Sequence, residues 1–62
     1  MHYLPVAIET LPAAQKDDIK HRLTVGWEVL GRSPLGPVVF MRRIAHGTVV
    51  GINSVGYVFL SA

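Results

Sequence analysis

The most constraining feature of this chain is the position at which its charge stops. All ten Asp, Glu, Lys and Arg residues lie at or before Arg43, and the last nineteen of the 62 residues carry no formal charge. Seven of those nineteen are β-branched, a residue class that favours strands. Such a segment has to be hidden from water, and a domain this small buries only about 60% of its unfolded surface. The sequence therefore predicts contact with other copies or with a larger partner.

Length and composition limit the chain to one small domain over residues 1–62. Half of the residues are hydrophobic and only 16% are charged, against roughly a quarter in an average soluble domain. There is no cysteine, so disulfides and thiolate metal sites are excluded. The N-terminal residues lack the basic and apolar regions of a signal peptide. The expected location is the cytoplasm or a macromolecular assembly.

The first third of the chain predicts a short strand followed by one helix. Residues 1–9 favour extended structure, and Pro5 limits that strand to a sheet edge or its start. Thr10 is then the expected helix N-cap, with Pro12 in the first turn and the helix ending at Leu23. The helix has a thin apolar stripe and two acid-first pairs at i,i+4, of which Asp18 with Arg22 is one.

Residues 24–30 are compatible with either a strand or a continued helix. As a strand they place Val25, Trp27 and Val29 on one face. As a helix they extend the apolar stripe, and Gly31 would follow as a C-cap. Gly26 and the β-branched residues favour the strand. Residues 31–37 contain two Gly and two Pro and predict a loop.

The uncharged tail predicts strands separated by tight turns. Strands are expected over residues 38–45, 48–52 and 57–61, with turns at His46-Gly47 and Asn53-Ser54. The order β-α-β-β-β-β predicts an α+β fold, with one short helix and an antiparallel meander of three to four strands. Neither face of these strands is polar, whereas a sheet with one wet face alternates apolar and polar residues. The single helix can cover one face, so the other must close into a small barrel or pack against another subunit.

The main functional hypothesis is a non-enzymatic interaction or assembly protein. It would act through an apolar sheet face and strand edges, as a homo-oligomer or as an accessory subunit of a larger complex. Small structural or inhibitory proteins of viruses and phages share this size and composition. The expected interface residues are Val39, Met41, Val49, Val58 and Leu60, with Arg43 at the rim.

Two alternatives involve other partners. A nucleic-acid-binding module would use Arg32, Arg42 and Arg43 to contact phosphates or an acidic partner. A single-pass membrane subunit would form a helix over residues 44–62, which follows a basic pair, although Asn53 near its middle is polar.

Catalytic and cofactor chemistry is not expected. The histidines are nineteen and twenty-five residues apart, a spacing that fits no zinc motif. Asp17 and Asp18 are adjacent and would point about 100° apart on a helix, which is typical of helix-surface charges and not of two carboxylates aimed into one cleft. The loop at 31–36 lacks the Lys-Ser/Thr of a phosphate-binding loop. The sequence therefore predicts no enzyme activity, no cofactor or metal and no small-molecule substrate.

Overall fold

The computed structural model describes residues 2–61, which form one helix packed on a four-stranded antiparallel sheet. The predicted α+β class and the meander are confirmed, because the strands follow one another across the sheet in the order β1-β2-β3-β4. The elements are a 3₁₀ turn at Ile8–Thr10, helix α1 at Ala13–Leu23, and strands β1 at Trp27–Arg32, β2 at Val39–Arg43, β3 at Val49–Ile52 and β4 at Val58–Leu60.

The helix ends where it was predicted to end but starts differently. Thr10 is not the N-cap: its hydroxyl donates to the carbonyl of Ala7 at 2.7 Å and closes the 3₁₀ turn. The N-cap position is occupied by Pro12, whose carbonyl accepts the first helical hydrogen bond from Lys16 at 2.9 Å. A proline costs nothing there, since the first N–H groups of a helix have no intrahelical partner.

The predicted N-terminal strand is wrong. Leu4 makes a single bridge to Arg32, with two main-chain hydrogen bonds of 2.8 Å, and residues 8–10 form the 3₁₀ turn instead. Pro5 follows directly and cannot donate a hydrogen bond to a strand ladder. Val6 and Ile8 then pack against the core. Met1 lies outside the described residues.

The segment at residues 24–30, which was compatible with a strand or a helix, contributes to a strand. This strand begins and ends later in the chain than predicted. It begins at Trp27 and includes Gly31 and Arg32, which the sequence placed in the following loop. The register shifts between Val29 and Gly31, so β1 contains a bulge. Gly31 has φ +139°, and a Cβ there would lie 2.6 Å from the carbonyl oxygen of Leu4. Glycine is therefore needed at the point where the N-terminal segment runs beside β1.

Helix α1 covers one face of the sheet, here called the helix side. Ile19 of the helix packs against residues of the two central strands, and all of them are buried. The strand residues of this core are Val39, Met41, Val50 and Ile52.

Gln15 is buried beside this core and joins the helix to the end of the sheet. Its side chain is 0% exposed, and its Nε2 donates to the carbonyls of Pro37 at 2.7 Å and Ile52 at 2.9 Å. The Oε1 atom has no hydrogen-bond partner among residues 2–61.

The sheet is open, and the barrel-like alternative is wrong. β1 pairs only with β2 and β4 only with β3, so the two outer strands do not meet. The predicted helix over residues 44–62 is also wrong, because this segment contains β3 and β4. Within residues 2–61, no helix has the length and apolar character needed to cross a membrane.

Candidate interaction surface

The face of the sheet opposite the helix, here called the helix-free face, carries aromatic side chains. Four of the five aromatic residues lie there, whereas Trp27 packs on the helix side. The ring centroids of Tyr3 and Phe40 are 5.6 Å apart, and those of Tyr57 and Phe59 are 6.3 Å apart. The chain therefore supplies part of the cover for its second face.

Gly51 leaves room for one of these rings above β3. It is paired with Phe40 on one side and Phe59 on the other. A Cβ at Gly51 would overlap the Phe59 ring, whose Cε2 would be only 2.8 Å away. The ring thus occupies the space above β3, and Phe40 is only 8% exposed. The sequence predicted that a barrel or another subunit would have to cover this face. The aromatic rings cover part of it, so less of the face needs a cover than the sequence predicted.

We expect Gly51→Ala to destabilise the protein by about 1–3 kcal/mol, because the added methyl displaces the Phe59 ring from a filled position. The measurement is urea-induced unfolding, with Trp27 fluorescence as the probe. Gly36→Ala is the matched control, since a Cβ there would meet nothing within 4 Å and the residue has no positive φ. Equal stability of the two variants would show that the ring does not depend on Gly51.

The predicted interface residues are divided between different environments. Val39 and Met41 are fully buried under the helix, so the folded chain does not present them to a partner. Val58 is half-buried and packs against the same core. Val49 lies on the helix-free face, across from Arg42.

Leu60 is the apolar residue of this set that is open to solvent. Its side chain is 76% exposed and lies on the helix side, next to Val50. Arg43, the predicted rim residue, is exposed beside Trp27 on β1. Of the apolar residues predicted at the interface, Leu60 at the outer edge of the sheet therefore remains the candidate for contact with a partner.

Exposed apolar side chains concentrate at edge strand β4. Seven large hydrophobic residues are exposed within the described chain, and three of them fall within six consecutive positions. These three are Val55, Tyr57 and Leu60. The remaining four are spread over the end of the helix and the loops, with Leu35 at 96% exposure in the β1–β2 loop. Concentration on one uncharged edge makes β4 the candidate site.

A tight turn holds the start of β4 in place. The Asn53 side-chain oxygen accepts hydrogen bonds from the N–H groups of Val55 at 3.1 Å and Tyr57 at 2.9 Å. The Asn53 carbonyl also accepts from Gly56, which has φ +82°. The predicted turn at Asn53-Ser54 is confirmed, and it presents Val55 and Tyr57 to solvent in a defined geometry.

The outer edge of β4 has free main-chain groups. Asn53 donates to Tyr57 at 3.0 Å and Ser61 donates to Val49 at 2.9 Å, so Tyr57 and Ser61 face β3. Because hydrogen-bonded positions alternate along an antiparallel strand, the N–H and C=O groups of Val58 and Leu60 point away from β3. Elsewhere in residues 2–61 no main-chain group bonds to them.

The opposite edge of the sheet, at β1, is protected. Leu4 bonds to Arg32 at one end of the strand, and Gly31 lies against the N-terminal segment. The strand also carries Glu28 and Arg32, and charge on an edge strand discourages pairing with other chains. β4 carries no charge, and within residues 2–61 no segment covers its outer edge. The two edges therefore differ in their readiness to accept another strand.

The three arginines predicted to contact phosphates do not form one patch. Arg42 lies on the helix-free face and Arg43 on the helix side. Arg32 is paired with Val39, four residues along β2 from Arg43, which is about 13 Å at the rise of a strand. Arg42 is also paired with the Glu28 carboxylate, which accepts from its Nε at 2.6 Å.

Two further cations are paired with acids on the same molecule. Arg22 bonds to Asp18 at 2.8 Å, which confirms the predicted i,i+4 pair, and its guanidinium lies 4.7 Å from the Trp27 ring centroid. Lys20 is paired with Glu9, and its hydrogen bond lowers the pKa of that carboxyl from the ordinary 4.5. Half of the six basic side chains are thus neutralised locally.

No group of three metal-ligating side chains comes together within residues 2–61. Comparison with known proteins finds no matching family, no matching curated protein and no matching solved structure. The candidate function therefore depends on the geometry of the chain itself, and above all on the open β4 edge.

Proposed function

We propose that this chain is a small non-enzymatic interaction protein that binds through the outer edge of β4. The partner strand would add to the sheet and use the outward main-chain groups of Val58 and Leu60. The chain would then act as a homo-oligomer or as an accessory subunit of a larger complex. The observation that carries this proposal is the uncharged edge strand with exposed apolar residues on and beside it.

Two physical arguments support an edge that is used. An exposed, uncharged edge strand tends to pair with other chains, and proteins usually block such edges with charge, proline or a covering segment. This chain blocks β1 in that way and leaves β4 open. Exposed Leu60 and Tyr57 would also gain from burial, at roughly 25 cal/mol for each Å² of apolar surface removed from water.

Binding of nucleic acid is supported less well. The arginines that would contact phosphates lie on different faces and at different ends of the sheet, and Arg42 is neutralised by Glu28. A phosphate-binding groove needs several cations along one track.

We expect Leu60→Lys to weaken association at least about tenfold, because it places a charge on the edge and removes an apolar contact. The measurement is light scattering of the purified chain, together with recovery of stoichiometric partners from its native source. Leu35→Lys is the matched control, since Leu35 is 96% exposed in a loop away from β4. It should leave association unchanged.

Two results would contradict the proposal. One is a chain that is monomeric and recovers no stoichiometric partner. The other is association that Leu60→Lys and Leu35→Lys reduce equally, because the contact would then not involve the β4 edge.

A further inference from the structure

We propose that the strand added to β4 is the β4 strand of a second copy, paired antiparallel across a twofold axis. This inference rests on the proposed function and adds the identity of the partner. The axis would run perpendicular to the sheet, so two four-stranded sheets would join into one eight-stranded sheet. Both helices would lie on one side of this sheet, and both helix-free faces on the other.

The positions of the free main-chain groups select one register. The outward groups of β4 belong to Val58 and Leu60, separated by Phe59. If Phe59 lies on the twofold axis, Val58 of each copy faces Leu60 of the other. Each of these two facing pairs can exchange two hydrogen bonds, so four bonds form and every outward group of β4 has a partner. Registers centred on Val58 or Leu60 would instead need groups outside the strand.

The side chains fit this register. On the helix side, exposed Leu60 would lie across from Val58 of the other copy, which gives an apolar cross-strand pair. On the helix-free face, Phe59 of one copy would lie across from Phe59 of the other at a non-hydrogen-bonded position. Each ring is directed back over its own β3, so the two rings leave room for the strands to pair.

Charge does not oppose the approach of a second copy. No charged residue follows Arg43, so β4, its neighbour β3 and the turn between them are all neutral. Two copies can therefore meet at this edge without bringing like charges together, although each has a net charge of +2. The charged strands β1 and β2 lie on the far side of each sheet.

The dimer should be weak, because a three-residue strand buries far less than the roughly 1,200 Å² of a stable interface. The test uses the full chain from about 10 µM to about 1 mM, a range that covers weak dissociation constants. Light scattering measures the mass, and hydrogen exchange measures the individual amides. We expect a shift from monomer to dimer, and exchange of the Val58 and Leu60 amides that slows at least about tenfold, while the Leu35 amide is unchanged.

A proline variant separates the main-chain contact from the side-chain contact. Leu60→Pro removes the outward N–H and leaves the β3–β4 bonds in place, since a proline is tolerated where the N–H faces solvent. Leu60→Ala removes the side chain and keeps the N–H. Dimerisation should be lost in the proline variant and only reduced in the alanine variant. Circular dichroism of both variants verifies that they are folded.

The remaining outcomes overturn the self-pairing. A dimer whose Val58 and Leu60 amides exchange as fast as in the monomer associates through another surface. A chain that stays monomeric at about 1 mM does not pair with itself. If such a monomer still recovers a stoichiometric partner that Leu60→Lys removes, the proposed interaction function stands and only the second copy is wrong. If it recovers none, both proposals fail.

Discussion

Met41→Asp is expected to leave the protein unfolded at room temperature. Met41 is 0% exposed and lies at the centre of the sheet, paired with Val29 on β1 and Val50 on β3. The helix covers it through Ile19. The described residues that form the core around Met41 are hydrophobic, so a carboxylate there would be buried without a counter-charge. Burying an unpaired charge is among the few changes that cost more than about 4 kcal/mol. A domain of this length has a total stability of only about 3–9 kcal/mol.

The measurement for Met41→Asp is circular dichroism with a thermal scan, in which the cooperative transition should disappear. Met41→Leu is the control, because it conserves volume and should cost less than about 1.5 kcal/mol. A folded aspartate variant would show that the core is not closed around this position.

The expected unfolding also limits which residues can be used to test association. Loss of association in an unfolded variant reports nothing about an interface, so Leu60 is the residue at which association can be tested.

Gln15→Met should be the second most damaging of the proposed changes, with a loss of about 2–4 kcal/mol. The substitution removes both donors from the carbonyls of Pro37 and Ile52. The Pro37 carbonyl is left without a partner, which costs about 1–3 kcal/mol. The Ile52 carbonyl faces β2 and keeps its strand hydrogen bond, so loss of its second donor costs about 0.5–1.5 kcal/mol. Removal of the unpartnered Oε1 offsets part of this loss. Methionine is close to glutamine in length and in helix propensity, so packing and helix formation change little.

Gln15→Ala distinguishes hydrogen bonding from packing. If the two hydrogen bonds dominate, the methionine and alanine variants lose similar amounts of stability in urea unfolding. If the volume that the Gln15 side chain fills contributes most of the stability, the methionine variant is much more stable than the alanine variant. A methionine variant as stable as the original chain would mean that the two carbonyls find other partners.

Local patterns in the sequence are sufficient for much of this fold. Gly26, Gly47, Gly56 and Asn53 mark turns because they favour particular backbone conformations by themselves, and the turn at Asn53 is where it was predicted. The β-branched tail forms strands for the same local reason. The predicted N-terminal strand does not form, because an extended segment becomes a strand only if a neighbour pairs with it. Pro5 ends that pairing after Leu4.

The sequence predicted the candidate site less well than it predicted the fold. Alternation along each strand correctly separates Val39 and Met41 from Phe40, but it does not reveal which set lies under the helix. The expected interface therefore included two core residues. A glycine inside an apolar strand is a signal of close approach by another group, and Gly51 shows that signal.

The sequence by itself determined that one helix precedes an antiparallel meander and that the last two strands are neutral, because these follow from residue type and short spacings. The tertiary structure alone decided that Gln15 is buried, that Phe59 covers β3 and that, among residues 2–61, the β1 edge is protected while the β4 edge is not. Each of these depends on contacts between residues distant in the chain. Such contacts are set by how the helix and the N-terminal segment fold back onto the sheet, and no local preference encodes that packing.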